Sequence, residues 1–388
     1  MKYYIIKETT LDEIAQEIKK KEGSFDLIPV DDYAARIRAL PLGYKEVALK
    51  NFSRLYYDGA RLDEMPVNNL DTSNGTDFSY MFYNCTALII VPSLNTGNGE
   101  NFAAMFQSCT SLEECPSLDT SKGVYFNNMF AGCTALKTVP LLNTGNGENL
   151  YNMFQSCTSL EECPSLDTSK ATNVSRLFYK CSALKIVPLL NTGNSTTFEY
   201  MFQDCTSLKS VQSLDTSSGT TFKYMFKNCT SLEVCPPLNT KSGKTFDNMF
   251  AGCTALKTVE MLDLYNQTTT PNMFAQCAAL TNLKIKNIKS SLSVGSGTTY
   301  GHLLTVESLI GLIRELRAMG SNLTLTVGSA NLAKLANVYV RTVEATDEMK
   351  AEDPIIASKH PFEICASTDE GAMLITDYAS IKKMWTIK

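Results

Sequence analysis

Histidine is nearly absent from this sequence, since only His302 and His360 occur among its 388 residues. Together with Cys365 they are the only candidates for nucleophilic chemistry. The three lie far apart, and no nucleophile-elbow, zinc-protease, phosphate-loop or dinucleotide-binding motif surrounds them. Residues scattered in this way are predominantly structural. The sequence therefore predicts no catalytic residue, no metal site and no cofactor. An enzyme with activity in residues 290–388 is the least favoured alternative.

A long hydrophobic segment is also lacking, because no apolar run approaches the roughly 18 residues that span a bilayer. The apolar start of the chain, ending at Ile6, is too short for a signal peptide, and Glu8 follows it closely. The net charge of -5 gives no reason to expect nucleic acid or an anionic membrane as partner. These absences predict no membrane span and no nucleic-acid partner, and they do not favour conventional secretion.

A Met-Phe pair recurs with a period of 24 residues, and position 0 of each unit is defined here as its Met. The nine units start at Met81, Met105, Met129, Met153, Leu177, Met201, Met225, Met249 and Met273. Every unit has Cys at position +4 and Leu at +7, usually followed by Val or Cys at +10 and Pro at +11. A degenerate tenth unit begins at Leu55. Residues 107–122 recur verbatim as residues 155–170, which indicates recent duplication of a 48-residue parent.

One such unit cannot fold alone. Burying its six large apolar side chains contributes about 10 kcal/mol, whereas ordering its backbone costs at least ~24 kcal/mol. Stacked units bury each other's faces, so the repeat predicts a solenoid. We expect short parallel strands at residues 88–91 and their equivalents, and a helical turn at Met-Phe-x-x-Cys. The predicted fold class is an α/β repeat, a leucine-rich-repeat solenoid with a small N-terminal helical region and a small C-terminal α/β domain.

Polar positions of the repeat also follow a pattern. Opposite charges mostly occupy position +8 of adjacent units, which predicts ion pairs between rungs. Position +14 alternates between Asn and Asp, and we expect these side chains to accept a backbone N–H in the following turn. Calcium binding by the Asp set is the alternative. It is disfavoured because a calcium site needs several converging oxygens, whereas Asn rungs separate the Asp residues.

The chain has 13 cysteines, an unusual number. Nine form one ladder at position +4, and parallel side chains in a ladder do not converge as a disulfide requires. Cys115, Cys163 and Cys235 stand at position +10, where other units have Val, and therefore act as small hydrophobic residues. No CxxC pair or nearby His suggests a metal site. The pattern predicts buried free thiols.

Two flanking regions leave the period. Residues 1–47 predict an N-terminal helical cap or docking region, with a capping box at Thr10 and Glu13 and a second helix after Pro29. Residues 48–289 form the solenoid. Residues 290–388 predict an α/β domain. Its expected elements are a helix capped by Thr305, strands at 323–327, 362–366 and 373–375, and helices at 329–340 and 378–384.

The recurring pattern Met-Phe-x-x-Cys-Thr-x-Leu-x-x-Val-Pro-x-Leu-Asn/Asp-Thr closely resembles the BspA-type leucine-rich repeats of bacterial surface proteins, over about residues 80–285. Members of that family are usually adhesins. Residues 10–19 and 29–37 are similar to a helical segment common in tail-region proteins of phages and prophages. The segment from Leu304 to Ile387 is similar to the closing segment that often follows such repeats. Together the resemblances imply a tail-associated protein.

We therefore expect a non-enzymatic binding protein that recognises a bacterial cell-surface protein or glycan as part of a phage or prophage tail. Residues 1–47 or 290–388 would contact other virion proteins. The alternatives are a BspA-type adhesin, located outside or on the surface of a bacterium, and a structural spacer.

The predicted binding residues are the charged side chains beside the strand, at positions +8 and +9. They are Glu113, Glu114, Lys137, Glu161, Glu162, Lys185, Lys209, Glu233 and Lys257. Solvated charges that only pair across rungs are the competing interpretation. A second variable set lies in the loops, at Lys122, Tyr125, Lys170, Lys241 and Lys244.

Overall fold

The computed structural model describes residues 50–59, 71–91, 93–163, 166–187, 189–212 and 214–288. Beyond them it describes residues 304, 305, 308, 311, 312 and 315 and the strand segments 292–294, 325–327, 338–342 and 362–366. Each 24-residue unit forms one rung of a solenoid. Parallel β-bridges at position -4 join successive rungs without interruption, from Asn51–Asp77 to Thr245–Thr269. The first step, from Asn51 to Asp77, is 26 residues long. The bridge across it shows that the degenerate unit at Leu55 is a genuine rung.

Strands of regular length occur in only two of the described rungs. Strand β1 spans Thr258–Asp263 and pairs in parallel with β2, Asn282–Lys286. In earlier rungs the same region is joined by single bridges, such as Glu114–Thr138 and Glu162–Ile186. The predicted short parallel strands are therefore present, but in several units they are reduced to a single bridge. Proline at position +11 lacks the N–H that a longer ladder needs, whereas β1 and β2 have Glu260 and Lys284 there.

The expected helical turn at Met-Phe-x-x-Cys is wrong. Positions -2 to +3 form consecutive tight turns. The backbone is left-handed at positions -1 and +3, as at Tyr80 (φ 56°) and Asn84 (φ 59°). The N–H of Met81 donates to the Phe78 carbonyl within the rung, whereas the N–H of Tyr80 donates to Ala103 on the next rung. An α-helix would keep these hydrogen bonds inside the segment. Here alternate N–H groups join neighbouring rungs, and the left-handed residues make that possible.

Aromatic rings fill the core in columns parallel to the solenoid axis. At position +1, ten rings from Tyr56 to Phe274 stack with centroids 5.3–5.8 Å apart and ring planes within 10° of parallel. A second column at position -3 is interrupted by Leu150 and Val174. Ring pairs at these separations add stabilisation beyond the area they bury. The columns therefore make each rung's stability depend on both neighbours.

The cysteine ladder lies beside the aromatic column. In all nine units the Sγ at position +4 donates a hydrogen bond to the carbonyl at position +1 of the preceding rung, over 2.9–3.1 Å. All twelve described cysteines are buried thiols outside any disulfide, which confirms the prediction for them. Burial raises the pKa of the Cys85 thiol to about 11 and those of Cys133 and Cys181 to about 12. The ladder thus supplies donors to buried carbonyls, a role that the sequence did not reveal.

We expect at least twelve free thiols when the protein is unfolded in denaturant without reductant. The Sγ atoms of the ladder are committed to carbonyls, and the raised pKa disfavours the thiolate that forms disulfides. Titration with a chromogenic disulfide reagent measures the number, and the folded protein, as control, should react far more slowly. A count near zero or one in denaturant would contradict the reduced ladder.

The C-terminal end of the solenoid is closed by a helical segment. The N–H of Thr305 donates to the Thr281 carbonyl over 2.8 Å, which continues the 24-residue step. Thr305 Oγ1 then accepts the N–H of Ser308, so the predicted helix cap is confirmed. Residues 308, 311, 312 and 315 are helical, and Leu312 is buried in the solenoid core. Glu315 Oε2 accepts the N–H of Asn287 on the last rung.

Four further strands are described after β2. Strand β3, Leu292–Val294, pairs in parallel with β4, Leu325–Val327, and β5, Val338–Thr342, pairs antiparallel with β6, Phe362–Ala366. The strands predicted at 323–327 and 362–366 are confirmed. The helix predicted at 329–340 is wrong at its end, because Val338 pairs with Ala366 in β5 and β6. The predicted elements at residues 1–47, 373–375 and 378–384, and the side chains of His302, His360 and Cys365, lie outside the described residues.

Candidate binding surface

The strand face is defined here as positions +8, +9 and +12 of each rung. Its side chains point outward because positions +7, +10 and +13 point into the core. In one rung, Leu136 and Val139 are buried while Lys137 and Thr138 between them are exposed. The +9 bridges hold neighbouring rungs in register. The face therefore presents side chains on a rigid frame that repeats about every 4.8 Å.

Three ion pairs cross the rungs of the strand face. Lys137, Lys185 and Lys257 each place Nζ 2.7 Å from the carboxylate of the preceding rung's glutamate, Glu113, Glu161 and Glu233 respectively. This confirms the predicted pairing at position +8. The hydrogen bond from Lys257 lowers the pKa of the Glu233 carboxyl. Because all six side chains are more than half exposed, each pair contributes only ~0–1 kcal/mol.

The other predicted binding residues lie on the same face. Glu114 and Glu162 are exposed and bridge the backbones of Thr138 and Ile186 on the next rungs. Lys209 is exposed on the rung next to Glu233. All nine charged residues are therefore brought to one surface. Their role in binding stays a prediction.

Apolar side chains share this face with the charges, and the charge-based prediction missed them. Ile90, Leu141, Ile186, Leu189 and Val234 occupy position +9 or +12 and are 47–74% exposed. Large apolar residues exposed in a group are typical of protein interaction sites. The signal was present in the sequence, since Leu141 and Leu189 stand where the intervening unit has a serine, Ser165.

A model of the family described as "Mycoplasma protein of unknown function, DUF285" matches residues 43–143, 100–210, 148–258 and 184–289. The chain belongs to this family. The overlapping matches cover the DUF285 repeats and more than half of the sequence. With the parallel rung-to-rung bridges, they confirm the predicted leucine-rich-repeat solenoid.

Two solved structures are similar to this DUF285 chain. An internalin from Listeria monocytogenes is 14% identical, covers 66% of this chain and 78% of its own, and has a TM-score of 0.29. A leucine-rich repeat protein from T. pallidum is 18% identical, covers 56% and 75% respectively, and has a TM-score of 0.20. A comparison with curated proteins gives no match. Within its described residues the chain has no helix of the length and apolarity that crossing a bilayer requires.

Two shallow grooves flank the C-terminal end of the strand face in the DUF285 solenoid. One, of about 480 Å³, runs along β1 and β2 to Ser308 and Glu315. The other, of about 370 Å³, lies against Pro236 and Pro237. Glu260 and Met261 line both grooves, and Met261 is half-exposed between them. The face is therefore not uniformly flat.

The loop after position +13 of the DUF285 repeat is occupied by internal hydrogen bonds. Asp119 and Asp167 Oδ1 accept the N–H two residues later, as predicted for position +14, and the hydrogen bonds from Ser121 and Ser169 lower the pKa of these carboxyls. Lys122 Nζ donates to an Asn side chain one rung away, at 2.6 Å, and Lys170 does the same at 2.7 Å. Tyr125 is half-exposed. The loop set is thus partly committed to the fold, which favours the strand face as the binding surface.

Proposed function

We propose that this protein is a surface adhesin of the BspA type, a non-enzymatic protein that acts outside the cell and binds a protein ligand through its strand face. The observation that carries the proposal is the row of exposed apolar side chains, Leu141, Ile186 and Leu189 among them, set between ion pairs on a rigid frame. Interfaces typically combine apolar anchors with a polar surround. The membership in the DUF285 family and the resemblance to BspA-type repeats support the same conclusion.

Rigidity is what makes such a face effective. The +9 bridges and the buried +7 and +10 side chains fix the backbone on both sides of each exposed residue. A partner that docks on this surface therefore does not have to order a loop, and that ordering is a principal cost of association. Apolar and charged side chains share the same rungs, as Lys185 and Leu189 do, and this combination supplies the specificity.

The comparisons give no support to a phage-tail role. The N-terminal segment that suggested that role lies outside the described residues. The segment after Thr305 begins by closing the solenoid, where Leu304 and Leu312 join its core. The surface-adhesin interpretation is therefore the one carried forward.

Reversing the charges of Glu113, Glu161 and Glu233 to Lys is expected to leave the fold intact and to weaken attachment to the cognate surface by about tenfold or more. Each reversal replaces an ion pair by a like-charge contact, which costs only about 1 kcal/mol of stability at an exposed site, while it inverts the charge that a partner meets. Binding of the labelled protein to panels of cultured animal cells and bacterial cells measures attachment.

A swapped variant provides the control. It carries the three reversals together with Lys137, Lys185 and Lys257 changed to Glu, so the ion pairs are restored with opposite polarity. Its stability should match that of the parent protein while its attachment remains weak. If both variants attach normally and Lys122→Ser with Lys170→Ser abolishes attachment, the strand face is not the binding surface.

A further inference from the structure

Among the described rungs, 50–59 and 71–288 with their short gaps, arginine occurs only at Arg54 and Arg176. Both occupy position -1, in left-handed backbone, on the turn face, which is defined here as positions -2 to +3. They are five rungs apart, about 24 Å at the usual strand spacing. Each is surrounded by tyrosines. The strand face and the turn face are separated by the buried core.

The cluster around Arg176 is the more elaborate. The guanidinium carbon lies 4.7 Å from the ring centroid of Tyr200 and 5.9 Å from those of Tyr151 and Tyr179. Arg176 Nη1 donates to the hydroxyl of Tyr151 over 3.1 Å. Tyr200 stacks on Tyr224 of the next rung at 4.7 Å, with planes 6° apart. The guanidinium is therefore held in place by aromatic contacts rather than by a carboxylate.

The cluster around Arg54 has the same composition. Its guanidinium carbon lies 5.7 Å from the ring centroid of Tyr57 and 5.4 Å from that of Tyr80. Tyr57 stacks on Tyr83 at 4.7 Å, and Tyr80 contacts Tyr83 at 5.8 Å. The cluster thus occurs twice, at equivalent positions of two distant rungs. A core requirement does not explain it, because these side chains lie partly in solvent.

Both clusters contain a guanidinium, Arg54 in one and Arg176 in the other, that no carboxylate of the described residues pairs with. A guanidinium has five N–H groups, arranged in a fork that matches a carboxylate. The tyrosines of both clusters are partly exposed to solvent. Around Arg176, Lys180 lies over the Tyr179 ring and Lys227 over the Tyr224 ring, which adds positive charge.

Two buried amide side chains, on the rungs before and after that of Arg176, have an oxygen that accepts no hydrogen bond from the described residues. Asn152, at position -1 of the preceding rung, and Gln203, at position +2 of the following rung, are more than nine-tenths buried. Buried acceptors of this kind are rare and are normally satisfied. Because both oxygens are buried, the polar groups that a ligand's hydroxyls can reach are the phenols of the clusters.

We propose that the two clusters bind a linear acidic polysaccharide, with a sugar carboxylate on each guanidinium and sugar hydroxyls on the surrounding phenols. The two clusters lie five rungs apart along the axis, which suits a polymer that carries repeating charges. Such a polymer contacts both clusters at once and gains affinity from the second contact. This site goes beyond the proposed strand-face function, and either can fail without the other.

The test uses the full-length protein and purified linear oligomers of galacturonic acid, with galactose oligomers of equal length as the neutral control. We expect binding of the acidic oligomers only. Arg176→Gln should weaken binding about tenfold to a hundredfold, because a charge-assisted hydrogen-bonded pair is lost. Arg176→Lys should recover little of it, since Lys lacks the fork. Changing Arg54 as well should remove the extra affinity of long oligomers over short ones.

Three further variants separate the site from general charge. Glu199→Gln removes a carboxylate beside Tyr200 and should strengthen binding. Lys241→Gln, which removes the same charge from the loop, should leave it unchanged, as should the strand-face reversals. Circular dichroism and thermal unfolding check that each variant is folded. Equal binding of neutral oligomers, no binding of acidic ones, or an unchanged affinity in folded Arg176→Gln overturns the proposal.

Discussion

Replacing Phe178 by Ala is expected to lower the free energy of unfolding by about 3–5 kcal/mol, the range typical of a fully buried ring. Phe178 stands in the middle of the ten-ring column and stacks on Phe154 at 5.8 Å and on Phe202 at 5.6 Å. Its loss opens a cavity against two rungs and removes two ring contacts. Because the rungs depend on their neighbours, we expect the midpoint of urea unfolding to fall sharply.

Leu189→Ala is the matched control, because Leu189 is a large apolar residue that is mostly exposed on the strand face. Its replacement should change stability by no more than about 0.5 kcal/mol. Denaturation followed by circular dichroism at several urea concentrations measures both variants. If Phe178→Ala were as mild as the control, the stacked column would not be a major source of stability.

A second large effect is expected at Gly243, where even a methyl group does not fit. A Cβ there would lie 2.3 Å from Phe246 Cζ, and 2.9 Å from both Phe222 Cε2 and the Thr240 carbonyl oxygen. Gly243→Ala should therefore destabilise the protein by about 1–3 kcal/mol or more through overpacking. Gly97→Ala is the control, because its Cβ would meet only the side chains of Asp119 and Asn95.

The chain itself suggests how to rescue this variant. At the equivalent position three rungs earlier, Ala171 occurs together with Val174, which replaces the phenylalanine of the column, and both are fully buried. Gly243→Ala combined with Phe246→Val copies this pair. We expect the double variant to be about 1–2 kcal/mol more stable than the sum of the single effects. Simple additivity in thermal unfolding would show that the clash with the ring is not the cause.

The sequence predicted the parts of the fold that follow from the period. The rung, the buried cysteines and the Glu–Lys pairs all depend on residues at fixed spacing, and a period of 24 places them without knowledge of the backbone. The Thr305 cap followed instead from the local helix pattern after it. The regularity of the core positions leaves few other arrangements that bury them.

The turn at Met-Phe-x-x-Cys could not be predicted in the same way. Its left-handed positions hold Tyr, Asn, Ser, Arg and Lys as well as glycine, so no single residue type identifies them in the sequence. The hydrogen bonds between rungs impose this backbone, and those bonds exist only after stacking. The proline at position +11 is visible in the sequence, but that its missing N–H shortens the strand became clear only from the structure.

The candidate binding residues were predictable only in part. The period assigned positions +8 and +9 to the surface, and the structure brings the nine charged residues to one face. The clusters around Arg54 and Arg176 escaped prediction because their members come from different units and share no local motif. Only the turn face, once formed, shows that they are neighbours.

The verbatim recurrence of residues 107–122 at 155–170 has a consequence for inheritance. Near-identical coding segments are prone to unequal exchange, and the gain or loss of one 48-residue parent would keep the rung spacing and the residues of the identical stretch. Such an event would move everything beyond it by two rungs, about 9.6 Å. The five-rung distance between Arg54 and Arg176 would become three or seven. Descendants of this chain can therefore explore different ligand spacings in fixed steps, without first having to evolve a new fold.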